Sequence, residues 1–353
     1  MTGRERILAA FRGEEPDTAP ILLHNFMMAA REAGISMREF RERPEAIARA
    51  FIQAVERYGY DGILVDVDTA TLAAAAGVPV DTPADEPARV CGPLLPDLQQ
   101  AAGLPPVDIT AHHGVMVWLE ATRQLKRYFG DEIAIRGNCD QAPFTLAGLF
   151  RGMDAWLMDL LDPANADSAR RLLDHCADIT GQFLRLMADT GADILSNGDS
   201  AAGSDVVSPD IYRRFALPWE RRIVEQSHRL GLPYVLHICG NTEPILEDML
   251  HTGADGLELD YKTDPVVARS TMGHRAVFIG NLDPAGVLAF GTSAEVRERT
   301  TALRSIFAGT PRFILNAGCA IPATTPPENL AAMISASRLW KADPSVQPGG
   351  RTR

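Results

Sequence analysis

The stretch GLPYVLHICGNTEPILEDMLHTGADGLELD (residues 231–260) holds two short apolar runs, YVLHI (234–238) and GLELD (256–260), with a helix-length segment between them. Working outward, the same unit recurs. Apolar runs stand at PILLH (20–24), GILVD (62–66), IAIRG (133–137), DILSN (193–197), VFIGN (277–281) and FILNA (313–317). Helical patterns separate them, at 44–59, 117–130, 168–191, 208–231 and 293–309, several opening on Ser or Pro and closing at Gly as capping predicts. Apolar strands alternating with helices imply a parallel sheet covered on both faces. Eight such strands predict an α/β fold, a single (β/α)8 TIM barrel.

The segment MTGRERILAAFRGEEPD (1–17) reads as a helical lead-in. Residues 68–111 break the repeat with several prolines and read as an insertion after strand 2 carrying a small hairpin. One barrel domain is expected over 1–340, with a polar, Pro- and Gly-bearing tail at 341–353 that frays.

The chain has 353 residues, 46% hydrophobic and 23% charged, as an ordinary globular protein does. A net charge of −12 argues against a nucleic-acid surface, which wants clustered Lys and Arg. No run reaches the roughly 18 apolar residues of a membrane span. The cysteines are Cys91, Cys139, Cys176, Cys239 and Cys319. An odd number in an acidic chain without a secretory core suggests reduced thiols and a cytoplasmic location.

Reactive groups in such barrels sit at the C-terminal ends of strands. Here every strand end is polar: His24 and Asn25, Asp66 and Asp68, Asn138, Asn197 and Asp199, His237 and Cys239, Glu258 and Asp260, Asn281 and Asp283, Asn316 and Cys319. Together they line one mouth for chemistry. Residues i and i+2 of a strand share a face, so His237 and Cys239 can address one point. The closed barrel can bring Cys319 to it. One imidazole and two thiolates suit zinc and leave a fourth position open. Two other uses stay open at this point: small core filler, or a thiolate nucleophile activated by the histidine. Cys176 lies in a long helix and reads as core; Cys139 lies just past a strand end. Asp283 reads as a cap of the segment after it. His24, Asn25, Asn138, Asn197 and Asn281 are candidates for substrate binding. Asp199, Glu258 and Asp260 are candidates to orient ligands or take part in catalysis.

Four longer motifs carry a family resemblance: GNCDQAPFTLAGLFRG (137–152), GADILSNGDSAAGSDVVSPDIYRRFALPW (191–219), IGNLDP (279–284) and FILNAGCAIPATTPPENL (313–330). The chain resembles the uroporphyrinogen decarboxylase superfamily over nearly its whole length, most weakly at 68–130. Where decarboxylases carry paired arginines that grip substrate carboxylates, this chain has LLHNFMMAAREAG (22–34), with Arg31 alone. His–x–Cys with a distant Cys is similar to the zinc-binding pattern of the cobalamin-dependent methyltransferase branch. That resemblance implies Zn2+ on His237, Cys239 and Cys319. It also implies methyl transfer between methylcobamide and a small acceptor such as coenzyme M, another thiol or a folate. The demethylase half-reaction, from a methylated donor to the corrinoid, uses the same parts. A decarboxylase-like lyase is the further alternative. No DxHxxG corrinoid motif is present, so a separate corrinoid protein is expected as partner. A homo-oligomer is compatible with the sequence.

Overall fold

A computed structural model describes residues 1–339 of the protein. The tail expected at 341–353 lies outside the described residues. Eight parallel strands follow one another around a barrel in chain order. They are β1 (Leu22–Leu23), β2 (Gly62–Val65), β3 (Ala134–Gln141), β4 (Ile194–Gly198), β5 (Tyr234–Ile238), β6 (Gly256–Leu259), β7 (Val277–Leu282) and β8 (Phe313–Ala317). The ring closes through a parallel bridge from Ile21 to Leu315, with the Leu315 amide donating to the Pro20 carbonyl at 2.9 Å.

Alternation divides each strand between two cores. Outward residues such as Ile63, Val65, Ile135 and Leu236 pack under the helices, and the Trp118 indole donates to the Val65 carbonyl at 3.0 Å. Inward residues Leu22, Leu64, Ala134, Ile194, Val235, Val277, Ile279 and Ile314 fill the barrel floor. The lead-in helix Gly3–Arg12 inserts Ile7 and Ala10 into that floor from below. A capping box between Thr2 and Glu5 fixes its start. One end of the barrel is therefore plugged with apolar side chains, and chemistry is confined to the other.

The expected helix over 208–231 is two helices, Pro209–Phe215 and Leu217–Arg229. Pro218 explains the break, since it lacks an amide donor and its ring crowds the preceding turn. The segment read over 117–130 starts earlier, at His113. The insertion carries a short helix, Thr71–Ala75, and an antiparallel hairpin pairing Val80–Asp81 with Arg89–Val90. β3 outruns its apolar pattern: its pairing with β4 slips between Asn138 and Gln141, and Asp140 has φ +57°. Asx and Gly residues tolerate that region best, so an aspartate there is chemically apt.

Candidate metal centre

His237 projects inward near the end of β5, and Cys239 follows it just past the strand. The chain must then turn sharply. Gly240 has φ +86°, and a Cβ on it would stand 2.6 Å from the Asp205 carboxylate. Asp260 secures the turn: Oδ2 accepts from the Gly240 amide and Oδ1 from the Lys262 amide, each at 3.0 Å. Cys319 arrives on the loop after β8. Gly318 lets that loop close in, because a Cβ there would collide with the backbone nitrogen of Tyr261.

The result is a compact triad. His237 Nε2 lies 3.2 Å from Cys239 Sγ, which lies 4.0 Å from Cys319 Sγ. The three donor atoms fall within 4.8 Å of one another, the one such group among the described residues. Two sulfurs on one tetrahedral zinc ion would be ~3.8 Å apart, given bonds of ~2.3 Å. The observed spacing fits that and is far from a disulfide. The imidazole is also turned correctly. Nδ1 lies 2.9 Å from the Glu258 carbonyl, which can only accept, so Nδ1 donates there and Nε2 is the nitrogen turned toward the thiols.

The three groups share protons among themselves, with Cys239 the one held as thiolate. The Cys319 S–H, the His237 ring and the Ser200 hydroxyl hold the Cys239 thiol down, to about 3. Cys319 is pushed well above the ordinary thiol range by that same partnership and by burial. Burial alone would lower His237, but the adjacent Cys239 thiolate and Glu258 outweigh it and raise it to about 10.

The triad forms one wall of a cavity of about 220 Å3 at the barrel mouth. Its lower wall is a polar layer resting on the apolar floor. Arg136 and Glu258, each 1% exposed, pair across the barrel at 2.6 Å. Asn316 donates to the other Glu258 oxygen at 2.8 Å and accepts from the His24 amide at 3.2 Å. The His24 ring meets Asp66 at 2.7 Å, and Asn138 donates to Asp66 at 3.0 Å. Burial works to raise the Glu258 carboxyl, but Arg136, His237 and His24 bring it below the usual range.

Of the sequence-derived candidates, His24, Asn138, Asn197, His237, Cys239, Glu258 and Cys319 line this cavity. Asn197 does so with its amide already committed, donating to the Cys139 carbonyl at 2.6 Å and accepting from Tyr234 at 3.0 Å. The others do not line it. Asp199 turns outward, accepts from the Thr145 amide at 2.7 Å and shares a buried pocket with Glu220. Burial raises it to about 6. Asp260 holds the Gly240 turn from behind. Asn25 is buried and takes no part in the cavity lining. Asn281 donates to the Asp260 and Thr263 carbonyls and faces a separate groove. Asp283 caps the segment after β7, accepting from the Ala285 and Gly286 amides. Asp66 and Asp68, named in the sequence only as strand-end groups, line it too, whereas Arg136, Asp140 and Gln141 do so without having been named. An arginine inside an apolar run was a readable signal, since a buried charge needs a reason.

A (β/α)8 barrel with this mouth defines a class, and comparison with known proteins places the chain in it. The uroporphyrinogen decarboxylase (URO-D) family model matches residues 2–340, and the chain belongs to that family. Methylcobamide:CoM methyltransferase MtbA of Methanosarcina acetivorans is 33% identical over 223 residues, a stretch spanning 63% of this chain and 63% of that protein. Methylcobamide:CoM methyltransferase MtaA of Methanosarcina barkeri is 26% identical over 343 residues, 95% of this chain and 97% of that protein. A solved methyltransferase from Methanosarcina mazei shares the fold, with a TM-score of 0.87 at 24% identity, covering 96% of this chain and 98% of that one. Among the described residues, no helix is long and apolar enough to cross a membrane.

Proposed function

We propose that the protein is a zinc-dependent methyltransferase moving a methyl group from a corrinoid, carried by a separate protein, to a small thiol. The observation that carries this is the meeting of His237 Nε2, Cys239 Sγ and Cys319 Sγ on the wall of the mouth cavity. A zinc ion held there would supply an open position and enough charge to ionise a thiol near neutral pH. The chain's own residues do the rest. The Glu258 carbonyl fixes the His237 tautomer. Ser200 sits 3.1 Å from Cys239 Sγ and orients it. Asp260 holds the loop that carries Cys239. The apolar floor confines the reactants to the mouth, where a corrinoid protein can present its methyl group. The thiol sulfur donates the electron pair of the new S–C bond, and the pair of the broken cobalt–carbon bond stays with the corrinoid.

Decarboxylation of a polycarboxylate tetrapyrrole is disfavoured by the cavity lining. Its one guanidinium, Arg136, is committed to Glu258. A substrate with many carboxylates would lack cationic partners.

The test is zinc content after purification without added metal, followed by thiol methylation from methylcobalamin. About one zinc per chain with thioether formation supports the proposal. No tightly held zinc after zinc is offered, or no transfer from the zinc-loaded protein, refutes it. A second expectation concerns Asp260. Asp260→Ala frees the Gly240 turn and is expected to weaken zinc binding by roughly 10–100-fold, read by competition against a chelator.

A further inference from the structure

The mouth cavity has a second wall that the methyl-transfer reading leaves without a task. It is built from the ends of β2 and β3, by Asp68, Asp140 and Gln141. All three are more than nine-tenths buried. Asp68 accepts from the Ala70 amide, the Thr71 amide and the Thr71 hydroxyl, all on Oδ1. Asp140 accepts from the Leu72 amide on Oδ2 at 2.7 Å, while its Oδ1 has no partner. Gln141 Oε1 has none either. The β3 irregularity makes this wall, because it brings the neighbours Asp140 and Gln141 to the same cavity.

An acceptor buried without a donor bears its full desolvation cost until a donor arrives. Two such acceptors, beside the second carboxyl group of Asp68, ask for a ligand group rich in N–H donors and carrying positive charge. The cavity's charge agrees. Four carboxylates line it, on Asp66, Asp68, Asp140 and Glu258, against one guanidinium. Arg136 Nε and Nη1 are donors without partners on the lower wall. The Arg136 charge is met there by Glu258 at 2.6 Å. At the rim, burial raises the Asp68 and Asp140 carboxyls above the usual range, Asp140 further by the charge of Asp68, and a cationic group placed there would relieve both.

We infer that the acceptor taken by this chain carries an ammonium or similar cationic N–H group, held by Asp68, Asp140 and Gln141 opposite the thiol-binding triad. The inference rests on the thiol-acceptor reading above and narrows it to a substrate class. A sulfonate or carboxylate on the acceptor brings no such relief, and any ionised fraction of the two carboxyls would repel it.

Three thiols with one two-carbon spacer isolate the charge: 2-aminoethanethiol, 2-mercaptoethanol and 2-mercaptoethanesulfonate. Their three-carbon homologues cover reach. Binding to the zinc-loaded protein is measured calorimetrically, so the readout does not depend on methyl transfer. The wild type is expected to rank amine over alcohol over sulfonate. Thiol acidity also differs along the series, so the decisive quantity is the ratio of sulfonate to amine Kd in wild type and variant. Acidity is the same for both proteins and cancels. Asp140→Asn is expected to lower that ratio roughly tenfold, and Asp68→Asn to move it the same way. If Asp140→Asn does not fold, Asp68→Asn and the wild-type ranking decide. A sulfonate that binds tightest to wild type, or a ratio unmoved by the variants, overturns the inference and leaves the methyltransferase reading standing. Failure of every thiol to bind the zinc-loaded protein overturns both.

Discussion

Cys319→Ala is expected to lose most of its zinc on purification and to lose thiol methylation by at least about 100-fold. Removing Cys319 leaves His237 and Cys239, two donors where a firmly held zinc needs three or four. It also removes the S–H that does most to hold the Cys239 thiol down. Metal analysis and a methylcobalamin assay read the two losses separately. Cys91→Ser is the control, because Cys91 is exposed just past the insertion hairpin and is no member of the triad. If Cys319→Ala keeps a full complement of zinc and its activity, the triad is not the metal centre. Zinc loss shared by the Cys91 variant would show that general destabilisation, rather than ligand removal, was being measured.

That Cys319 joins a pair 80 residues away was readable because barrel topology is cyclic. The apolar runs identify eight strands, and closure makes β8 a neighbour of β1, so all strand ends share one rim. The finer choice among carboxylates was not readable. Asp199, Glu258 and Asp260 look alike in the sequence, each at or just past a strand end. Glu258 pairs in register with His237 inside the sheet, so it points inward with it. Asp260 would follow by alternation, but β6 ends at Leu259 and the chain turns away, which converts it into a clamp on Gly240. Asp199 follows the last residue of β4 and is captured by the Thr145 amide. Strand-end position therefore predicts the rim but not the direction a side chain takes once the pleat stops. Arg136 was the opposite case. It shares parity with Ala134 and Asn138 on β3, so its inward direction follows from the pattern alone. Asp140 keeps that parity but Gln141 breaks it, and only the slipped pairing of β3 with β4 shows why both reach the cavity.

Arg136 supplies the other large expected effect, on stability rather than chemistry. Its guanidinium and the Glu258 carboxylate are both 1% exposed and 2.6 Å apart. Arg136→Leu leaves Glu258 charged with no cation of comparable reach, and removing one partner of a buried pair costs about 3–5 kcal/mol. For a chain of this size that is a fall in Tm of roughly 4–7 °C. Glu258→Gln alone strands the arginine and is expected to cost a similar amount. The double variant Arg136→Leu/Glu258→Gln removes both charges, and Asn316 can still donate to the glutamine carbonyl. It should melt well above either single variant, since a buried pair contributes little beyond a neutral replacement. Zinc binding separates the carboxylate's role from the strand's. His237 is oriented by the Glu258 backbone carbonyl, not by its side chain. A refolded double variant should therefore still bind zinc. Additive losses in the double variant would mean that the two charges are not coupled in the folded protein. Restored melting with zinc lost would mean that the Glu258 carboxylate itself helps to hold the metal.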